Sequence, residues 1–98
     1  MTINTEKKDG TLIAAIEGDL DRTTSPELES RITPMLDSVT ELVFDLAGLK
    51  YISSAGLRVF VKMQKLIGGG KMTLRHVAPA VMEIFRLSGF TNFLNIEE

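Results

Sequence analysis

The sequence predicts an α/β domain with a mixed sheet of four to five strands and three to four helices. A turn signal, Asp9-Gly10, separates two strand-like segments near the start of the chain and indicates an antiparallel hairpin. Short apolar segments then alternate with segments of helical periodicity, which is typical of parallel strands joined by right-handed crossovers. The 98 residues, of which 44% are hydrophobic, suit a single domain built around one core.

The two strands of the hairpin are predicted over residues 3–7 and 12–16. The first has mixed polarity and adjoins Lys8, which predicts an edge strand whose charges discourage further pairing. The second is apolar without alternation, which predicts a strand buried on both faces. The segment from Gly18 to Arg22 is then expected to leave the second strand at its carboxyl end.

The first helix is predicted to begin near Thr24. Thr24 and Glu27 have the spacing of a capping box, and Pro26 suits the first turn of a helix. Pro34 cannot donate a hydrogen bond to the preceding turn and its ring crowds the carbonyl there, so the helix should bend or end near Thr33. The apolar stripe of this helix consists of Leu28, Ile32, Met35 and Leu36.

A pair of serines lies in the sequence between the predicted third strand and the predicted central helix. Leu42-Val43-Phe44 predicts a short strand, and Gly48 is a turn signal after it. Apolar residues recur at helical spacing from Leu57, and three glycines at 68–70 close the helix. Ser53 or Ser54 therefore lies at the helix N-cap, where a serine is most often only a cap, with modification and catalysis as the alternatives.

The C-terminal third predicts a strand, a helix and a short tail. Residues 71–77 alternate well enough for a fourth strand, with His76 on the same face as Met72 and Leu74. Pro79 opens the last helix and Gly89 closes it. Residues 93–96 are a candidate for a short fifth strand.

The predicted topology gathers polar residues at one edge of the sheet. The turns after the second, third and fourth strands all leave at the carboxyl edge, where open α/β sheets place their sites. We therefore expect one face to hold Asp19, Asp21, Arg22, Thr23, Ser53, Ser54 and the turn at residues 76–79.

Composition excludes several classes of function. The absence of cysteine excludes disulfides, thiol nucleophiles and cysteine-ligated metals. A net charge of -2, with both signs spread along the chain, supplies no basic patch for nucleic acid. No apolar run is long enough to cross a bilayer and the N-terminus does not resemble a signal peptide, so we expect a cytoplasmic protein without a membrane partner. Recognition of a protein or a small ligand is left.

Catalysis by the serines is not expected. Ile52 occupies the position where a nucleophile elbow would carry a glycine before Ser54. His76, the single histidine, is better interpreted as a packed or strand-end residue than as a base. Asp19 and Asp21 would need an enclosed cleft to act as an acid/base pair, so loop capping suits them better. One histidine also leaves too few good ligands for a metal, and we expect neither a metal nor a cofactor.

Four motifs, in order, resemble the STAS domain over nearly the whole chain. They are Gly-Asp-Leu-Asp at 18–21, Asp-Leu-x-x-Leu-x-Tyr-Ile-Ser-Ser-Ala-Gly-Leu at 45–57, the glycine run at 68–70, and Pro-Ala-Val…Phe-x-x-x-Gly at 79–89. More narrowly, they resemble the stand-alone anti-sigma factor antagonists of bacteria, and the Ser-Ser-Ala-Gly-Leu loop is the most specific part. The resemblance implies a single STAS domain over residues 1–98.

The resemblance also implies a switch protein. Members of this family bind an anti-sigma factor that is also an ATP-dependent serine kinase, and thereby free a sigma factor for transcription. The kinase phosphorylates a serine in this loop and breaks the complex, and a metal-dependent serine phosphatase restores it. Matching the loop places the phosphorylated serine at Ser54, and less favourably at Ser53, which stands where the family often has an aspartate. The expected partner-binding residues are Asp21, Arg22, Thr23, Ser53, Ser54, Ala55, Gly56 and Arg58.

The physical chemistry of a phosphate at Ser54 agrees with a switch. A phosphoserine adds a charge of about -1.5 to -2, and it would meet the helix N-terminus with Arg58 one turn away. The fold should tolerate that charge, so the modification must act on the outer surface. We therefore expect a phosphorylation-gated protein-binding module. The alternative is a small-ligand or nucleotide-binding regulatory module that uses the same face.

Overall fold

A computed structural model describes residues 1–97 of the chain as a four-stranded sheet with three helices and two short 3-10 segments. The strands are β1 (Thr2–Lys8), β2 (Thr11–Leu20), β3 (Glu41–Ile52) and β4 (Met72–Arg75). The helices are α1 (Ser25–Ile32), α2 (Ser54–Ile67) and α3 (Pro79–Leu87), and the 3-10 segments are Thr33–Leu36 and Phe90–Asn92. The predicted α/β architecture is confirmed. Within residues 1–97, no helix is both long and apolar enough to cross a membrane.

The sheet has the predicted mixed topology, in the order β1-β2-β3-β4. β1 and β2 pair antiparallel, whereas β2 with β3 and β3 with β4 pair parallel. Asp9 and Gly10 both have positive φ, as the tight turn of a two-residue hairpin requires. The candidate fifth strand reduces to one isolated bridge between Leu74 and Ile96.

All three helices cover the same face of the sheet. The rings of Phe44 on β3 and Phe60 on α2 lie 4.9 Å apart, and Phe60 lies 6.5 Å from Phe85 on α3. Burial along β2 consequently alternates, with Leu12, Ala14 and Ile16 buried and the residues between them partly exposed. The expectation that β2 is buried on both faces is wrong, because the helices leave the second face open.

The third strand is much longer than predicted. β3 continues through Gly48, which the sequence indicated as a turn, and β2 likewise continues to Leu20. Gly48 lies opposite Glu17, and a Cβ at this position would stand 2.7 Å from the Cγ of Glu17. The register shifts beside this pair, because β3 advances from Asp45 to Gly48 while β2 advances from Ala15 to Glu17. Gly48 therefore marks a β-bulge and a close approach of two strands.

The helix boundaries follow the prolines. Pro26 lies in the first turn of α1, and Pro79 is the first residue of α3. The α-helical hydrogen bonding of α1 ends at Ile32 and changes to the 3-10 segment that contains Pro34. This confirms that the helix ends near Thr33.

The fourth strand is shorter than the predicted residues 71–77. It ends at Arg75, and His76 has a φ of 59°, which takes the chain out of the sheet. Val77 is buried although the alternation placed it on the face opposite Met72 and Leu74, because the chain has already left the strand there.

Candidate functional site

The serine pair lies where β3 passes into α2. The backbone N–H of Ser53 donates to the carbonyl oxygen of Leu20 at 2.9 Å, which ties the ends of β2 and β3 together. Ser53 has an extended backbone, and its carbonyl accepts the hydrogen bond of the Leu57 N–H at 3.0 Å. Ser53 is therefore the N-cap residue of α2 and Ser54 its first helical residue, which decides between the two serines that the sequence left open.

The two serine hydroxyls differ in accessibility. The Ser54 side chain is exposed. The Oγ of Ser53 is buried and has no hydrogen-bond partner among the described residues, and it does not cap the helix. The expectation that a serine oxygen satisfies the first N–H groups of α2 is wrong for Ser53, because its hydroxyl is turned inward. Of the two, only Ser54 presents its hydroxyl to the outside.

The turn from β2 to α1 is held by Asp21. Its Oδ1 accepts hydrogen bonds from the backbone N–H groups of Thr23 at 2.9 Å and Thr24 at 3.0 Å. These bonds, that of Thr24 first and that of Thr23 second, lower the pKa of the Asp21 carboxyl because they stabilise its charged form. The expected capping box is wrong, because the hydroxyl of Thr24 donates to the carbonyl of Asp19 at 2.9 Å and makes no cap bond to α1.

A groove of about 280 Å³ runs between α1 and α2 beside the serine loop. Arg22 enters it from the β2–α1 turn, and Arg58 enters it from the first turns of α2. The wall is crossed by an ion pair in which Lys62 Nζ lies 2.6 Å from a carboxylate oxygen of Glu29. The other lining residues are Ser25, Pro26, Ala55 and Val59. The groove is therefore bordered mainly by positive charge.

The sequence did not lead us to predict that α1 contributes to this groove. Glu29 and Lys62 were not among the predicted site residues, although Lys62 follows Arg58 by one helical turn on the exposed side of α2. That spacing is a signal for a basic helix face. No comparable signal exists for Glu29, because helical periodicity does not say which sides of two helices meet.

Gly56 allows α2 to begin directly on the sheet. It is buried in the first turn, and a Cβ there would lie 2.8 Å from Ile52 Cγ1 and 2.9 Å from Leu20 Cγ and Cδ2. Both neighbours are fully buried core residues at the ends of their strands. The close approach fixes where the helix starts, and hence where Ser54 emerges.

The predicted common face holds for the residues at the ends of β2 and β3 but not for residues 76–79. Leu20 pairs with Ile52, so the Asp21 turn and the serine loop are neighbours. Arg75 instead pairs with Asp45, and β3 continues for seven more residues to Ile52. At about 3.3 Å per residue, the turn after β4 is roughly 20 Å from the serine loop.

His76 therefore belongs to a different part of the molecule. It is exposed, and its Nδ1 lies 3.2 Å from Oδ1 of Asp45. The interpretation as a strand-end histidine is confirmed, and the ring is too remote to accept a proton from Ser54. Among residues 1–97, no group of three or more His, Asp or Glu side chains is placed to hold a metal ion. The serine site can present a hydroxyl, but it has no adjacent imidazole to activate it.

Comparison with known proteins places this geometry in a family. The family model described as the STAS domain matches residues 2–98. BtrV of Bordetella bronchiseptica, named as a candidate anti-sigma factor antagonist, is 34% identical over 99 residues, which cover 98% of this chain and 85% of BtrV. The crystal structure of an anti-sigma factor antagonist from Mycobacterium paratuberculosis is 26% identical with a TM-score of 0.87, and the match covers 98% of this chain and 84% of that one.

A more distant likeness extends to SpoIIAA of Bacillus, which is described as an anti-sigma factor antagonist. Its unphosphorylated form is 16% identical with a TM-score of 0.75 over 99% of this chain and 87% of that one. Its phosphorylated form is 17% identical with a TM-score of 0.73 over 97% and 90%. This likeness concerns the fold alone. Because the family model spans almost every residue and a relative above 30% identity covers nearly the same length, the chain belongs to the STAS domain family.

Proposed function

We propose that this protein is an anti-sigma factor antagonist that works as a phosphorylation-gated switch. It binds an anti-sigma factor with serine kinase activity while Ser54 is unphosphorylated, and it releases that partner when Ser54 is phosphorylated. The observation that carries this proposal is the exposed hydroxyl of Ser54 at the start of α2, beside a groove bordered by Arg22 and Arg58. A relative at 34% identity and a structural neighbour at 26% identity bear the name of antagonists, which supports the same function.

The fold should withstand the phosphate. A dianion at the N-terminus of α2 meets the positive end of the helix dipole, which contributes about 0.3–1 kcal/mol of stabilisation at an exposed site. SpoIIAA of Bacillus, which shares this fold, has been solved in a phosphorylated form, and this supports a fold that tolerates a phosphate. The effect of phosphorylation is therefore expected at the docking surface and not in the core.

Phosphorylation of Ser54 should release the bound partner for electrostatic reasons. A phosphate desolvated against a bound protein leaves buried charge for which the partner's surface supplies no counter-ion, at a cost of roughly 3 kcal/mol or more. That cost corresponds to more than about a hundredfold loss of affinity. It exceeds the local gain in helix stability, so release dominates. Ser53 is the weaker candidate for the modified residue, because its hydroxyl is buried.

The expected docking residues surround Ser54 in three groups. Asp21 fixes the β2–α1 turn through its hydrogen bonds to Thr23 and Thr24, and this turn presents Arg22 to the groove. Ser53, Ala55 and Gly56 form the backbone of the loop and the first turn of α2. Arg58 follows one turn later.

We further expect a regulator of transcription that has no catalytic activity of its own. The serine site has a hydroxyl but no adjacent imidazole, which favours a substrate of a kinase over an enzyme. A metal-dependent serine phosphatase would remove the phosphate and restore binding, and the cytoplasm is the compartment that such a cycle requires. The small-ligand alternative is not favoured, because the two relatives reported above with more than 25% identity bear the name of antagonists.

The test uses purified anti-sigma factors of the kinase type from the source organism. Each is titrated by calorimetry with the wild type, Ser54→Ala and Ser54→Asp, with Ser53→Ala as the matched control. We expect the wild type, Ser54→Ala and Ser53→Ala to bind, and Ser54→Asp to bind at least tenfold more weakly, roughly a loss of 1.4 kcal/mol. After incubation with kinase and ATP, mass spectrometry should find one phosphate on the wild type and on Ser53→Ala, and none on Ser54→Ala. Unchanged binding of Ser54→Asp together with an unphosphorylated wild type would refute the proposal.

A further inference from the structure

The outer side of α2 continues away from the serine loop as a basic and apolar groove. We call it the α2 groove, and its lining residues are Arg58, Val61, Lys62, Lys65 and Phe90. It has a volume of about 340 Å³. Its three cations follow one another at helical spacing along two turns of α2, and Phe90 of the C-terminal 3-10 segment forms the opposite wall. The groove thus extends from Arg58, one helical turn beyond Ser54, to Phe90 of the second 3-10 segment.

The α2 groove is positively charged, whereas the whole protein has a negative net charge. The chain has a net charge of -2, yet the groove has three cations in its wall. Lys62 is paired with Glu29, whereas Arg58 and Lys65 form no ion pair within residues 1–97. Two cations are therefore available to a negatively charged partner. A local concentration of one sign on a protein of the opposite sign steers association.

An exposed aromatic side chain, Phe93, lies beside the apolar wall of the groove. Phe93 is 67% exposed, and its ring lies 6.3 Å from that of Phe90 in an edge-to-face arrangement. The side-chain amide of Gln64 on α2 donates to the carbonyl oxygen of Phe93, which holds the 3-10 segment against the helix. Exposed aromatic rings held in place beside cations are typical of the central contacts of protein interfaces.

We propose that the α2 groove docks an acidic, amphipathic segment of the anti-sigma factor. This inference rests on the proposed function and names the chemistry of the partner's contact surface. Arg58 and Lys65 are two helical turns apart, or about 10 Å. A helix that places carboxylates seven residues apart, with an apolar side chain between them, matches this spacing and fills the space between Val61 and Phe90.

Phosphorylation of Ser54 acts on one end of this groove. Ser54 lies one turn from Arg58, so its phosphate neutralises the nearer cation. Lys65 is eleven residues from Ser54, roughly 16 Å along the helix, which is beyond the screening length of about 8 Å at physiological salt. Lys65 should thus contribute to partner affinity without contacting the serine loop, and this separates the groove from the phosphorylation site experimentally.

Cations beside aromatic rings also suit single-stranded nucleic acid. The net negative charge of the chain opposes a polyanion, and the cations span only two turns of one helix. An acidic protein segment, which places a few carboxylates against a few cations, fits the observations better. Binding of nucleic acid in this groove would therefore contradict the proposal.

The experiment compares Lys65→Glu and Phe93→Ser with Lys8→Glu as the matched control. Lys8 is exposed on the edge strand β1 and forms no ion pair within residues 1–97. Calorimetric titration uses the kinase-type anti-sigma factors of the source organism at two salt concentrations, and an oligouridylate serves as the nucleic-acid probe. Circular dichroism checks that each variant is folded.

We expect Lys65→Glu and Phe93→Ser each to weaken binding at least about tenfold, and Lys8→Glu to change it less than about twofold. The salt dependence of binding should decrease in Lys65→Glu, because an attractive pair has been lost. Wild-type binding that neither Lys65→Glu nor Phe93→Ser weakens would overturn this inference and leave the proposed function standing. A wild type that binds none of the anti-sigma factors would overturn both. Binding of the oligouridylate that Lys65→Glu abolishes, with the anti-sigma factor unaffected, would assign the groove to nucleic acid.

Discussion

Replacing Gly56 by alanine should destabilise the domain, although alanine is the better helix former. The helical preference alone would contribute about 0.5–1 kcal/mol in favour of alanine. The added methyl group, however, would lie 2.8 Å from Ile52 Cγ1 and 2.9 Å from Leu20 Cγ and Cδ2. Leu20 and Ile52 are 0% and 1% exposed, so neither side chain can move into solvent.

Overpacking of this kind costs about 1–3 kcal/mol, and three contacts to two enclosed side chains place Gly56→Ala in the upper part of that range. Subtracting the helical preference leaves a net loss of about 1–2 kcal/mol. For a domain of this size, that loss lowers the melting temperature by roughly 4–16 °C. The expected sign is therefore opposite to that of most exposed glycine-to-alanine changes in helices.

The assay is urea unfolding followed by far-ultraviolet circular dichroism, since the chain has no tryptophan to report by fluorescence. Gly69→Ala is the matched control, because a Cβ at Gly69 would meet no heavy atom within 4 Å. The control should stay within about 0.5 kcal/mol of the wild type. If Gly56→Ala proved as stable as the wild type, the argument that a close helix–sheet approach positions Ser54 would fail.

Three further predictions concern the same region and the core. Ser53→Ala should leave the free energy of unfolding unchanged or raise it, because the buried Ser53 hydroxyl has no hydrogen-bond partner within residues 1–97. The loss of a serine that caps a helix usually costs ~0.5–2 kcal/mol. Urea unfolding measures the difference, and a loss above about 1 kcal/mol would contradict the prediction. Phe60→Ala should cost about 3–5 kcal/mol, since Phe60 packs between Phe44 and Phe85, whereas Phe60→Leu should cost clearly less by the same assay. Asp21→Asn should remove an acid-dependent part of the stability. The folded-state pKa of Asp21 is lowered, so its contribution is present above the unfolded value near 3.9 and is lost as pH falls through the folded value. Stability curves from about pH 6 to about pH 2 should therefore converge for the wild type and Asp21→Asn at the acid end, and parallel curves would refute this.

The sequence predicted those parts of the fold that depend on local conformational preference. The Asp9-Gly10 hairpin, the proline positions at the starts of α1 and α3, the end of α1 before Pro34 and the start of α2 at the serine pair were all correct. In each case, the backbone geometry that one or two residues favour or forbid decides the outcome.

The predictions that were wrong concern features that depend on contacts between parts of the chain distant in sequence. Gly48 has the local character of a turn residue, but pairing of β3 with β2 carries the strand through it. Burial of β2 on one face depends on where three helices pack, which the strand's own residues do not encode. The distance of His76 from Ser54 follows from the unequal lengths of β3 and β4.

The candidate site shows the same division. The loop itself could be located from its residues, because a serine pair before a helical pattern marks a helix start. The inward turn of the Ser53 hydroxyl and the role of Glu29 in the groove could not, since both depend on packing between elements. Asp21 was interpreted as a loop-capping residue, and its hydrogen bonds from the Thr23 and Thr24 N–H groups confirm this, whereas the side-chain cap of α1 was wrongly assigned to Thr24.

Because the pairing of β3 with β2 shifts in register, the orientation of the serine loop depends on the number of residues in the last part of β3. Between Ala15 and Leu20, β2 pairs with a longer stretch of β3, from Asp45 to Ile52. Deleting one residue from that stretch would rotate everything after it by half a pleat period, which exchanges the inward and outward side chains. Ile52 would then face water, and α2 would start from the wrong side of the strand. Evolution of this protein can therefore vary the side chains of the stretch far more freely than its length.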